Sequence, residues 1–231
     1  VRGEEWLATL NIHLQLFRTM GWKAPKYVHT AQLMKMDGGS KRKLSKRKDP
    51  ELALDFYNAE GYPVPSVLEY LMTLLNSNFE DWRLANPTAP MGDFQFTTKK
   101  MGNSGSLFDI DKLKDVSKNT ISVMSADQVY DEVTAWAKDF DPQLYTLLTA
   151  DQQKAKAIFA IGRGGAKPRK DIAIWSEVKD YVAFFYEELF TAASEYPENV
   201  STQDALDILT QYRSLYSPAD DGETWFNKVR E

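Results

Sequence analysis

Residues 41–48, Lys-Arg-Lys-Leu-Ser-Lys-Arg-Lys, set six positive charges in eight positions of a chain whose net charge is −5. Charges packed this closely repel one another and stay in water, so the run marks a surface loop that divides the chain. Gly38-Gly39-Ser40 leads in as a hinge, Leu44-Ser45 splits the cations, and Asp49-Pro50 closes the loop ahead of a helical pattern. A polyanion is the usual reason for such a cluster, and this order suits a mobile loop that grips phosphate. Charge alone favours the plainer readings, a solvated basic turn, a localisation tag or a nonspecific nucleic-acid patch.

Around this loop, composition sets the limits. At 231 residues, 43% apolar and 13% aromatic, the chain can build one large domain or two smaller ones with a real core. The absence of cysteine excludes disulfides, thiolate metal sites and cysteine nucleophiles. His13 and His29 lie far apart without ligand spacing, and no metal site is expected at them. No apolar run reaches the length of a membrane-spanning helix, and a cytoplasmic location is the expectation. The start, Val1-Arg-Gly-Glu-Glu-Trp6, carries no methionine, cap or lead and reads as the edge of a piece cut from a longer protein.

Ahead of the loop, Trp6, Leu7, Leu10, Leu14, Phe17 and Met20 keep to one face and predict a helix over 4–20. Gly21 stops it in the C′ manner, with Pro25 beyond. Extended stretches are expected at 27–29 and 32–36, the closing half of a parallel α/β unit. After the loop, helices are expected over 51–60, ending at Gly61, over 66–76 and over 108–119, with an irregular connection over 86–107. Ser125-Ala-Asp-Gln128 is a capping box for a helix carrying Val129, Val133, Trp136, Ala137 and Phe140, and Thr149-Ala-Asp-Gln152 repeats the device ahead of 154–161. Helices over 177–193 and 202–216 complete an all-α second half, with the boundary near 104–110.

Some patterns could carry chemistry. Arg163, Lys167, Arg169 and Lys170 surround the Gly162–Gly165 break, where cations can meet phosphate or an exposed base edge; a solvated turn between helices fits as well. Tyr181, Phe184, Phe185, Tyr186 and Phe190 could pass for a base-stacking platform, but their spacing marks a core stripe. Glu187-Glu188 and Asp220-Asp221 read as solvated faces.

Lys43-Leu44-Ser45-Lys46-Arg47 resembles the second signature, Lys-Met-Ser-Lys-Ser, of class I aminoacyl-tRNA synthetases, in the variant of the glutamyl branch. Val1–Trp6 is similar to that branch's substrate-pocket segment, and Leu16-Phe-Arg-Thr-Met-Gly-Trp-Lys-Ala-Pro25 to the helix and turn after it. Leu54-Asp-Phe-Tyr-Asn-Ala-Glu-Gly61 and Pro65–Leu75 resemble its stem-contact helices, and Phe108-Asp-Ile-Asp-Lys-Leu113 with Asn119 resembles the entry to its anticodon-binding region. The pentapeptide alone is a weak signal; the set in order is a strong one.

The resemblance implies a mainly α chain: residues 1–106 as the C-terminal remnant of a Rossmann-type catalytic domain with stem-contact helices, residues 107–231 as part of a helical anticodon-binding domain. It implies a glutamate–tRNA ligase that uses ATP, with Mg2+ carried by the nucleotide, L-glutamate and tRNA(Glu), and a monomer. Lys46 would stabilise charge on the triphosphate as the glutamate carboxylate attacks the α-phosphorus, with Lys43, Ser45 and Arg47 holding ATP. Arg2 would pair with a substrate carboxylate, and Glu5 and Trp6 would border ATP and the terminal adenosine. Core packing is the alternative for Trp6, and a fraying surface position is the alternative for Arg2. Arg163, Lys167 and Arg169 would face tRNA, Arg169 at the first anticodon base.

Two features depart from the family. The His-Ile-Gly-His signature is absent, and the helical part lacks room for a second anticodon subdomain. A piece of this kind is expected to be inactive by itself. Competing readings are a noncatalytic RNA-binding helical module and a glutaminyl-tRNA synthetase, the latter disfavoured because that branch carries β-barrels after the signature.

Overall fold

The computed structural model describes residues 1–102, 104–192, 197 and 199–230. They form two units, Val1–Leu189 and Phe190–Glu231. In the first, Arg2–Gly3 (β1) runs through a 3-10 turn, Glu4–Thr9, into the helix Leu10–Thr19 (α1) and back to His29–Thr30 (β2), which pairs with β1 in parallel. The helix expected over 4–20 is therefore α-helical only from Leu10. Its end follows the expected glycine rule: Gly21 has φ +69°, and Trp22 N and Gly21 N donate to the carbonyls of Phe17 and Arg18. These are the two hydrogen bonds of a Schellman motif.

Leu33–Asp37 (β3) turns through Gly38 and Gly39 into Ser40–Lys43 (β4), its antiparallel partner, with Asp37 opposite Ser40. Both glycines have positive φ, +54° and +85°. A two-residue hairpin with left-handed backbone at both positions is the type I′ turn, whose twist matches that of the strands. The expected hinge is thus a tight hairpin, and the first three residues of the basic run, Lys41, Arg42 and Lys43, lie in a strand.

Helices follow: Leu54–Glu60 (α2), Val64–Leu75 (α3) and Phe79–Ala85 (α4). The short strand Ser106–Leu107 (β5) then pairs with β3 in parallel. Next come Ile110–Ser122 (α5), Ala126–Phe140 (α6), Pro142–Ala150 (α7), Gln152–Ala160 (α8) and Val178–Val182 (α9). One apolar cluster joins Leu44, Tyr62, Tyr70, Phe108, Leu113 and Ile174 beneath the hairpin. A second gathers Val129, Val133, Leu144, Leu148, Phe159, Trp175 and Val182. α5 lies against α3 because small residues meet there: Ser117 Oγ donates to the Ala173 carbonyl (2.5 Å) and sits 3.1 Å from Ser66 Oγ.

The caps show where local reading holds and where it slips. Ser125 and Gln128 form the full capping box of α6. The second expected box is displaced: Asp151, not Thr149, caps α8 by accepting from Lys154 N (2.9 Å), while the Thr149 hydroxyl donates back to the Tyr145 carbonyl inside α7. The helix expected over 177–193 is also shorter. α9 passes into a 3-10 turn over Ala183–Phe185 and ends at Tyr186 (φ −128°, ψ 118°), where the consecutive rings Phe184, Phe185 and Tyr186 give up helical packing. Of the expected core stripe only Tyr186 is buried, with Tyr181 partly buried against the same cluster; Phe184, Phe185 and Phe190 are exposed, so the core at this segment is built by Trp175, Val178 and Val182 instead. Residue 193 lies outside the described residues. In the second unit, Thr202–Leu215 (α10) and Gly222–Arg230 (α11) are joined by the Trp225 Nε1–Tyr212 hydroxyl hydrogen bond and buttressed by the Lys228–Asp220 ion pair.

Candidate functional site

The basic run is anchored at both ends and displayed between them. Alternation along β4 sends Arg42 to one face and Lys41 and Lys43 to the other. Leu44 follows with only 3% of its surface exposed, seated on the cluster with Tyr62 and Phe108, its amide donating to the Leu33 carbonyl (3.1 Å). The chain then makes a single turn: Lys48 N and Asp49 N both donate to the Ser45 carbonyl, at 3.0 and 2.9 Å. Lys46, Arg47 and Lys48 stand exposed on that turn.

Asp49 closes the turn from below. Only 2% exposed, its carboxylate accepts both ends of the Arg42 guanidinium (2.7 Å each) and the Ser45 amide (2.8 Å). Those two bonds, the guanidinium first and the amide second, hold its carboxyl far below the usual carboxylate range. Arg42 also reaches Asp37 through Nε (2.6 Å), and its pKa is raised by both carboxylates, Asp49 first. Beside it, Lys35 pairs with the buried Glu51, whose hydrogen bond raises the lysine pKa. Among the described residues, Lys41, Lys43, Lys46, Arg47 and Lys48 form no ion pair, so their charge is available to an anion.

Arg2, Glu5 and Trp6 share one segment, β1 and the 3-10 turn after it, on a sheet separate from that of the hairpin. Arg2 is exposed and donates to its neighbour's carbonyl at Val1 (2.8 Å). The Glu5 carboxylate folds back over Gly3, so close that a Cβ there would lie 2.2 Å from Oε2. Trp6 is 46% exposed with its ring 6.3 Å from that of His13, and so belongs to the surface rather than the core. Glu4, which sequence reading passed over, accepts from Gln32 N and ties the segment to the chain after β2.

Around the glycine break the arginines divide. Arg163 is half-buried and its donors are taken up inside the protein: Nε to the Phe159 carbonyl (2.9 Å), Nη1 to those of Ile121 (2.5 Å) and Met124 (3.2 Å). Burial lowers its pKa. Arg169 and Lys167 are exposed. Arg169 pairs with Asp171 (2.5 Å), and its stem lies across Gly162, whose φ of +67° and missing Cβ leave the room; a Cβ would sit 2.4 Å from Arg169 Cδ.

The ion pairs beneath the basic turn were the features missed in sequence. Their signal is the strand alternation that turns Arg42 alone inward, towards Asp49 at the close of the loop. A cleft of about 700 Å³ lined by Leu68, Phe79, Leu84, Pro90 and Met91 also had no local signature. Among the described residues, no group of three or more His, Asp or Glu side chains is placed to hold a metal, and no helix is long and apolar enough to cross a membrane.

Residues 1–115 match the family model for the catalytic domain of class I tRNA synthetases (E and Q). The chain is 47% identical over 230 residues to the glutamate–tRNA ligase of Acetivibrio thermocellus, covering 100% of this chain and 42% of that protein. It is 48% identical over 236 residues to the glutamate–tRNA ligase of Clostridium beijerinckii, covering 43% of it. The fold matches that of a glutamate tRNA ligase from Elizabethkingia meningosepticum, crystallised in complex with its amino acid, with a TM-score of 0.68 at 20% identity, over 99% of this chain and 46% of that one. The chain thus spans less than half the length of the curated relatives it matches.

Proposed function

The chain belongs to the class I tRNA synthetases (E and Q), and on that premise we propose that it is part of a glutamate–tRNA ligase, the part that carries the mobile charge of the ATP site and the surface that receives tRNA(Glu). The observation that carries this reading is the basic turn, with Lys46 and Arg47 held outward between two buried anchors, Leu44 and Asp49.

Adenylate formation needs positive charge where negative charge grows on the phosphate oxygens, and little covalent help from protein. Lys46, a compact cation on a flexible stem, takes that role at the triphosphate. Lys43, Ser45 and Arg47 hold ATP beside it, with Mg2+ brought by the nucleotide. The exposed fork of Arg2 suits a bidentate pair with a carboxylate of glutamate. Glu5 and Trp6 border the nucleotide and the terminal adenosine, for which the half-exposed indole offers a stacking face. Lys167 and Arg169 face tRNA, Arg169 at the anticodon, while Arg163 acts by shaping their loop. The division at 106/107 is one of task rather than of packing, since α5 lies directly on α3. A monomer working in the cytoplasm completes the reading.

The test is the Lys46→Ala change in the full-length ligase, followed by ATP–pyrophosphate exchange. The expected result is a large fall in kcat with the KM for glutamate nearly unchanged; a change confined to that KM would overturn the role. With no His-Ile-Gly-His segment in its sequence, the 231-residue chain alone should show no exchange. Exchange at the level of an intact ligase would count against the reading, and tRNA binding without any ligase activity in the full-length protein would favour an RNA-binding module.

A further inference from the structure

Lys46 can act as a movable charge only if the turn beneath it has a fixed base, and one side chain joins the parts of that base. We propose that Asp49 is a positioning residue for the ATP step: its carboxylate latches the turn 45–48 to β4 and so sets where Lys46 meets the triphosphate. The inference rests on the ligase reading above.

Both donors that Asp49 takes are of the kind that bind phosphate. A guanidinium fork and an exposed backbone amide at the start of a helical turn each match an anion. In this chain an internal carboxylate fills both, with three bonds of 2.7 to 2.8 Å on two oxygens. Arg42 and the Ser45 amide are thereby withdrawn from the nucleotide and become structure. The latch works from a buried position, 2% exposed, while Lys46 one turn away is exposed. Leu44, sunk in the apolar cluster, fixes the other end. Between the two anchors only the residues of the turn remain to swing. Lys35 and Glu51 flank the latch, Lys35 Nζ lying 3.8 Å from Asp49 Oδ1 and pairing with Glu51.

Asparagine at 49 keeps the size and one acceptor but loses the charge and the second oxygen needed for the fork. The turn then loosens, and the Lys46 ammonium meets the phosphate in a wider range of positions. Misplacement of about 1 Å at a reacting centre lowers rates by roughly 10²-fold. The experiment uses the full-length ligase carrying Asp49→Asn, Lys46→Ala and both together. Rates of glutamyl-adenylate formation, transfer from preformed adenylate to tRNA, and melting temperature are measured for each. Expected are a fall of about 10- to 100-fold in adenylate formation for Asp49→Asn, an unchanged transfer rate and an unchanged KM for glutamate. In the Lys46→Ala background the second change should add less than about twofold, because a latch that acts through Lys46 has nothing left to position.

A loss that multiplies with that of Lys46→Ala, or that falls equally on adenylate formation and transfer, would overturn the latch and leave Asp49 a stabiliser of the fold. An Asp49→Asn enzyme with wild-type adenylate formation would overturn it too. If Lys46→Ala alone left adenylate formation untouched, the reading of this turn as the ATP loop would itself fall. Should Asp49→Asn not fold, Arg42→Lys, which keeps the charge and removes the fork, is judged by the same three measurements.

Discussion

Gly61→Ala is the substitution whose cost can be worked most directly from the structure. Gly61 ends α2 with φ +81°, and the Tyr57 and Asn58 carbonyls accept from Tyr62 N and Gly61 N in the second Schellman motif of the chain. A left-handed backbone costs a residue with a Cβ about 1–2 kcal/mol. The added methyl would also lie 2.7 Å from Trp175 Cβ, 2.9 Å from Trp175 N and 3.0 Å from Trp136 Nε1. None of these is the far end of a flexible side chain. Trp175 N is fixed by its hydrogen bond to the Gly61 carbonyl (2.9 Å), and Trp136 Nε1 by one to Asn58 (3.0 Å). Overpacking of this kind costs about 1–3 kcal/mol, which brings the total to about 2–5 kcal/mol. For a chain of this size that lowers the melting temperature by roughly 4–20 °C. Gly38→Ala is the matched control: its φ is +54° and nothing lies within 4 Å of its Cβ, so it pays only the backbone term. Calorimetry of both variants should place Gly61→Ala clearly below Gly38→Ala, with near-ultraviolet dichroism of the tryptophans changed only in the former. Equal melting temperatures would refute the steric part of the argument.

The depressed carboxyl of Asp49 makes a pH prediction: its stabilisation is full above the unfolded value of about 3.9 and is lost as pH falls through the lower folded value. Wild-type melting temperature should therefore drop below about pH 4, and Asp49→Asn should flatten that part of the curve; parallel curves would remove the latch's electrostatic basis. Arg163→Met should lower stability by about 2–3 kcal/mol, since three carbonyls lose a charged donor. Arg169→Ala should leave the melting temperature nearly unchanged yet, if the proposed tRNA role holds, weaken tRNA binding by the full-length protein; a filter-binding result with the effects of Arg163→Met and Arg169→Ala exchanged would reverse the roles assigned to them. The same titrations should show a falling log-affinity with log-salt, and a flat line would count against an electrostatic dock.

Much of the fold was legible where one local signal had one structural meaning. Gly21 and Gly61 end their helices as the stop rules require, and Ser125 with Gln128 caps α6 as its spacing announces. Reading failed where a tertiary partner decided. Ser40–Lys43 has no strand formers, and it is a strand because β3 offers it a ladder across a type I′ turn. At α8 two adjacent candidates could cap, and the turn of the chain after α7 gave the place to Asp151. At the site, the exposed cations were visible as composition. The separation of Arg42 from its neighbours follows from a strand that turns it alone towards Asp37 and Asp49, acids close by in sequence, whereas that of Arg163 from Arg169 rests on the Ile121 and Met124 carbonyls, which no short window contains.

The seat of Leu44 has a consequence for synthesis of the chain. Its cluster is closed by Ile174, which lies about 130 residues further along. At roughly 5–20 residues per second, the hairpin is synthesised some 6–26 s before Ile174. During that interval the most basic segment of the protein is only half seated, beside a particle made largely of RNA. Asp37 and Asp49, translated within a few residues of Arg42, are on hand to neutralise it at once. The acids nearest in sequence can thus pair with Arg42 before the apolar floor is laid, leaving the other cations of the run in water.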